Sequence, residues 1–113
     1  MANTLRIIAW NANGLLQREH ELEAFLWNDK IDVALISETH MTRTNHCKIK
    51  GYKVYHTARP DLPGKGGSAL IIKENIKHHE DAKYETPEIQ ATTATVRTKS
   101  NDITIAAVYC PAM

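Results

Sequence analysis

The sequence predicts a mixed α/β (α+β) fold, and three stretches carry that reading. Leu5 to Trp10 (LRIIAW) is a compact apolar run with β-branched residues. Leu22, Phe25 and Leu26, set among Glu19, Glu21, Glu23 and Asp29, have the spacing of an amphipathic helix. Val33 to Ser37 (VALIS) is a short, near-continuous apolar run, as expected of a strand buried on both faces. Strand, helix and strand make a βαβ unit, with enough chain between the strands for the crossover that a parallel pair requires.

Beyond this unit, Tyr52 to His56, Ser68 to Lys73, Ala91 to Arg97 and Ile103 to Tyr109 read as strands, divided by loops of Pro, Gly, Asn and charge. Their short spacing favours antiparallel hairpins, so the reading is one mixed sheet with a single early helix. PGKGGS at 63–68 has the flavour of a phosphate loop, but the Walker spacing is absent and an apolar strand follows where a helix is needed. It reads as a hairpin connection. His78 and His79 are adjacent with no third ligand at metal-site spacing, and read as solvated loop histidines.

A chain of 113 residues, 42% of them apolar, suffices for one core. No apolar run approaches the roughly 20 residues of a membrane helix, and MANTLRII lacks the charged head and long apolar stretch of an export signal. Cys47 and Cys110 lie far apart without CxxC spacing, which suggests neither a zinc site nor a disulfide framework, and a reducing compartment. The net charge of +1 divides unevenly: residues 41–67 carry Arg43, Lys48, Lys50, Lys53, Arg59 and Lys65 against Asp61 alone. Such a segment can track a phosphate backbone, or simply be solvated surface.

VALIS, ALII and ITIAAVY are apolar at consecutive positions and ask for cover on both faces, which one helix cannot give to six strands. The expectation is that residues 1–113 are the amino-terminal half of one larger domain. A small complete domain, or an oligomer that hides the apolar face, is the alternative.

Three polar residues share one topological position: Asn11 after the first strand, Glu38 after VALIS, and Tyr109 closing ITIAAV. If the first two strands are parallel, Asn11 and Glu38 emerge side by side, at the carboxyl ends where ligands bind in α/β sheets. A carboxylate beside an amide oxygen is a seat for Mg²⁺, and a phenol nearby could bond a phosphate or developing oxyanion. His40 points the same way as Glu38 if the backbone stays extended, which makes it a candidate phosphate contact. Each residue also has a structural reading. Asn11 and Asn13 could supply turn geometry and a helix cap, Glu38 could end a strand in water, and Tyr109 could be a core aromatic with its hydroxyl at the rim.

LRIIAWNANGL, ALISETH, KIKGYKVYHTARPDLPGKGGSALIIK and ITIAAVYCP, in this order and spacing, resemble the amino-terminal half of the endonuclease domain of jockey-like non-LTR retrotransposons, within the endonuclease/exonuclease/phosphatase superfamily. The resemblance implies a four-layered α/β sandwich, here truncated to about its first sheet. It also implies an Mg²⁺-dependent phosphodiesterase, with Mn²⁺ as a substitute, that nicks DNA in the nucleus for a reverse transcriptase in the same polyprotein. No small-molecule cofactor and no membrane is implied. Asn11 matches the asparagine of the family's WN motif, Glu38 its metal-binding glutamate, and Tyr109 the tyrosine near the scissile phosphate. Asn13 stands where apurinic-site repair relatives often have aspartate, and is expected to position water or substrate or to shape the loop.

The family's later Gly-Asp-x-Asn and Ser-Asp-His motifs have no counterpart in these residues. The carboxylate therefore lacks a partner base, and this chain alone is expected not to cut DNA. A binding module that holds DNA without cleaving, or a superfamily member acting on inositol phosphates, sphingomyelin or poly(A) RNA, are the other readings.

Overall fold

A computed structural model describes residues 4–111; residues 1–3 of the stretch read for an export signal, and Ala112 and Met113, lie outside it. The elements run β1 (Ile7–Asn11), a 3-10 turn (Leu16–Arg18), α1 (Glu19–Asn28), β2 (Val33–Ser37), β3 (Tyr52–Thr57), β4 (Ser68–Lys73), β5 (His78–Glu80), β6 (Tyr84–Glu85), β7 (Gln90–Arg97) and β8 (Asp102–Tyr109). Every strand read from the sequence is present. The βαβ unit is there as well, with β1 and β2 parallel and Asn11 opposite Ser37.

The expectation of one mixed sheet is corrected. Four strands form a first sheet in the order β1-β2-β4-β3, and β5, β6, β7 and β8 form a second, with β8 on β7. The sheets stack through Val33, Leu70 and Ile72 on one side and Ala94, Val96, Ile105 and Ala107 on the other. This answers the demand of the two-faced strands: β2 and β4 are covered on one face by α1 and on the other by the second sheet. The described residues therefore supply three layers, α1, first sheet and second sheet, where truncation to about one sheet was expected.

ITIAAVY departs from its two-faced reading. Ile105 and Ala107 are buried, while Thr104, Ala106 and Val108 face outward, so β8 alternates as a strand with one covered face. In α1, Leu22 and Leu26 are buried but Phe25 is exposed, because the helix lies along the β1 side of the sheet and turns Phe25 past its edge. His78 and His79 also differ from expectation. They belong to β5, and His78 is half-buried, with Nδ1 on the Ile76 carbonyl at 2.7 Å and Nε2 on the Tyr55 hydroxyl at 2.8 Å. A carbonyl only accepts, so Nδ1 carries a proton, and in the neutral ring Nε2 then accepts from Tyr55.

A buried hydroxyl cluster pins the two sheets at one end. Thr92 Oγ1 lies 2.9 Å from both Thr57 Oγ1 and Ser68 Oγ, and Ser68 is opposite Ser37 in the first sheet. That end carries the carboxyl termini of β1, β2, β3 and β8 and the predicted functional residues.

Candidate active site

Asn11 closes β1 and Glu38 follows β2. Because the strands are parallel and in register, their side chains meet: Asn11 Nδ2 donates to Glu38 Oε2 at 2.8 Å. Asn11 Oδ1 accepts the Asn13 backbone N–H at 3.2 Å, closing an Asx turn. That bond fixes the amide's orientation, since only oxygen can accept there. Asn11 thus shapes its own turn, one of the readings left open, and it is its amide N–H, not its oxygen, that meets the carboxylate.

The parallel pairing continues past the strands. Ala12, Gly14 and Leu15 donate in turn to the carbonyls of Ser37, Glu38 and Thr39, each at 2.9 Å. Asn13 at φ 45° and Gly14 at φ 103° make this possible, and a Cβ at Gly14 would overlap the Gln17 carboxamide. Asn13 itself points its exposed side chain to solvent.

Glu38 and His40 occupy left-handed backbone at φ 55° and 56°, on either side of the buried Thr39. The extended path expected for this segment is therefore corrected. His40 still reaches the carboxylate, with Nε2 3.7 Å from Glu38 Oε1, through two left-handed residues rather than a strand. Each such non-glycine residue costs on the order of 1–3 kcal/mol and persists only where neighbours hold it. Here the holder is the β3–β4 connection: His40 N–H donates to the Gly66 carbonyl at 2.9 Å, and Thr39 N–H to that of Gly67 at 3.4 Å.

Tyr109 comes to the same place from the second sheet. Half-buried at the end of β8, it packs on Gly66, where an added Cβ would lie 3.0 Å from Tyr109 Cε2. The side chains of Asn11, Glu38 and His40 meet directly, Asn13 joins them only through its backbone N–H, and Tyr109 reaches them across Gly66. Gln90, Gly66 and Gly67 are the residues that sequence reading missed. The glycines were visible only as a hairpin, and a lone glutamine at a strand start belongs to no motif.

The basic segment is divided. Arg43, Arg59 and Lys65 lie in loops at the site end, whereas Lys50 and Lys53 sit at the start of β3, at the far end of the sheet. Arg43 is paired with Glu85 at 2.7 Å and Arg59 with Asp61 at 2.9 Å, so their charge is partly met already. Among the described residues no helix is long and apolar enough to cross a membrane.

No protein-family model matches the chain. It is 39% identical over 108 residues to the RNA-directed DNA polymerase from mobile element jockey of Drosophila melanogaster, and 32% identical over 108 residues to the polymerase of that name from Drosophila funebris. Each match takes in 96% of this chain but only 12% of the relative's length. Among solved structures it is similar to the AP endonuclease LMAP from Leishmania major (TM-score 0.71, 18% identity, 93% of this chain and 40% of that one). It is also similar to the endonuclease domain of TRAS1, a telomere-specific non-LTR retrotransposon (TM-score 0.65, 21% identity, 95% and 46%). An endonuclease/exonuclease/phosphatase family protein from Leptotrichia buccalis matches at TM-score 0.67 and 12% identity, over 96% of this chain and 55% of that one. At these identities the structures speak for the fold. The chain's homologues are thus jockey-type retrotransposon polymerases, each matched over 12% of its length, and its fold is that of part of an endonuclease/exonuclease/phosphatase-type structure.

Proposed function

We propose that this chain supplies half of a divalent-metal endonuclease site that nicks nuclear DNA, within a longer retroelement protein whose reverse transcriptase primes on the nick. The observation that carries the reading is the Asn11–Glu38 hydrogen bond at the carboxyl ends of two parallel strands. Asn11 engages Oε2 and leaves Oε1 facing His40 and solvent. Among the described residues no cluster of three or more His, Cys, Asp or Glu could form a protein cage. One carboxylate suits Mg²⁺, or Mn²⁺ in its place, because such ions keep several waters and take phosphate oxygens as further ligands. Bound there, the ion would neutralise charge building on the scissile phosphate.

In this reading Glu38 holds the ion and Asn11 orients its carboxylate. Tyr109 and His40 contact phosphate oxygens, and Asn13 shapes the loop or positions water. The base that activates water is not among these residues, and neither Gly-Asp-x-Asn nor Ser-Asp-His occurs in the sequence. The reading assigns those groups to the other half of the domain. Two sheet edges support a second half. Among the described residues β1 pairs only with β2 and β8 only with β7, and Ile7 on β1 and Val108 on β8 are exposed. Long free edges with apolar neighbours call for further strands.

The test is relaxation of supercoiled plasmid in Mg²⁺. The chain alone should leave it intact, and a longer protein containing it should nick it, with the activity lost in Glu38→Ala. Nicking by the chain alone, abolished by Glu38→Ala, would overturn the half-site. DNA binding indifferent to Mg²⁺ and steeply weakened by salt would instead favour a module that only binds.

A further inference from the structure

We infer that Gln90 is the positioning residue that sets Tyr109 against Glu38; the inference rests on the site proposed above and adds a residue to it. Gln90 opens β7 directly opposite Tyr109 and is 0% exposed. Its Oε1 accepts the Gly67 N–H at 3.1 Å and its Nε2 donates to the Thr86 carbonyl at 2.7 Å. The side chain therefore spans from the second sheet to the glycine turn of the first. That turn carries the Gly66 and Gly67 carbonyls on which His40 and Thr39 hang.

The turn has no slack. Gly66 and Gly67 sit at φ 59° and 90°. A Cβ at Gly66 would lie 2.9 Å from Gln90 Oε1, and one at Gly67 would lie 2.5 Å from Thr39 Oγ1. A path of direct contacts therefore runs from Tyr109 to Gly66, from Gly66 to His40, and from His40 to Glu38, with Gln90 fixing the glycines in the middle. The inward positions that follow along β7, Thr92 in the buried hydroxyl cluster and then Ala94 and Val96, are all filled by side chains smaller than glutamine. A buried amide satisfied at both ends adds direction that packing does not supply. The two strained residues at 38 and 40 need that direction, since left-handed backbone relaxes once its surroundings loosen.

The test uses this chain, with backbone amide exchange and Mn²⁺ broadening of NMR signals. Gln90→Met keeps the volume and removes both hydrogen bonds. It should lower protection factors at Gly67 and His40 at least tenfold while leaving Leu70 and Ile71 in β4 unchanged. The Mn²⁺ broadening at Tyr109, taken relative to that at Ser37, should fall at least threefold. Gln90→Glu can replace both bonds only when its carboxyl is protonated, so its protection at Gly67 and His40 should recover as pH falls, and that of Gln90→Met should not. Wild-type protection in Gln90→Met, or an equal loss across β4, overturns the inference. If Gln90→Met does not fold, the recovery of Gln90→Glu decides, and protection that fails to recover overturns it. If Mn²⁺ broadens nothing near Glu38 in the wild type, the metal reading falls and the exchange results alone judge Gln90.

Discussion

Asn11 donates its side-chain N–H to the Glu38 carboxylate at 2.8 Å, across the adjacent ends of two parallel strands. The same amide accepts the Asn13 backbone N–H, so the turn and the carboxylate share one anchor. Removing it should loosen both. Asn11→Ala is expected to weaken Mn²⁺ binding by about 10–100-fold, the range found when groups orienting a metal ligand are lost. Titration calorimetry checks it, and unchanged affinity would show that Glu38 needs no orientation.

Gly67 lies at φ 90°, with Thr39 Oγ1 and the Thr57 carbonyl where a Cβ would go. Gly67→Ala adds both strain and overlap, and should destabilise the fold by about 1–3 kcal/mol. Gly64 is also left-handed, but a Cβ there meets nothing within 4 Å. Urea unfolding should therefore rank Gly67→Ala clearly below Gly64→Ala. Equal midpoints would contradict the packing described for the turn.

His56 on β3 is half-buried. Its Nε2 bonds the Asn45 carbonyl at 3.2 Å, and among the described residues its buried Nδ1 has no partner. Burial depresses its pKa below the usual histidine value, with the nearby Lys83 adding to the effect and the Asn45 carbonyl opposing it. The unfolded chain takes up the proton near pH 6.5 while the folded chain still resists it. The contribution of His56 to stability is thus fully present above about pH 6.5 and is lost as pH falls toward the depressed folded value. Urea midpoints at pH 7.5 and 5.5 should drop more in the wild type than in His56→Leu. The same drop in both would contradict this.

Cys47 is buried and Cys110 exposed, and both are free. Burial first, and then the hydrogen bond and charge of Glu19, push the Cys47 thiol up to about 12. A thiol so far from ionising is inert to alkylation. Native protein treated with iodoacetamide at pH 8 should carry a single adduct, at Cys110, by peptide mass spectrometry. Modification of Cys47 at a similar rate would mean that the α1 side of the core opens readily.

Much of this was legible in the residues. LRIIAW, VALIS and SALIIK are compact, near-continuous apolar runs, and such runs become strands wherever a core forms. The meeting of Asn11 and Glu38 followed from parallel pairing alone. β5 and β6 were not legible, because HHE and YE are too short and polar to signal a strand and exist only by pairing with β7. Whether β7 and β8 join the first sheet or stack on it is decided by which faces meet, and local sequence does not encode that. The left-handed turns at Glu38 and His40 were equally hidden, since glutamate rarely adopts them and histidine does so only in a minority of its positions. Gly66, Gly67 and Gln90 impose them from 26 or more positions away.

The most direct test of the account is where a metal binds this chain. Sub-stoichiometric Mn²⁺ should broaden amide signals around Ser37, Glu38 and Asn11, leave β5 and the distal end of β3 sharp, and lose its effect in Glu38→Gln. Broadening centred elsewhere, or unchanged in Glu38→Gln, would contradict the claim that Glu38 and Asn11 form the metal-holding half of a nuclease site.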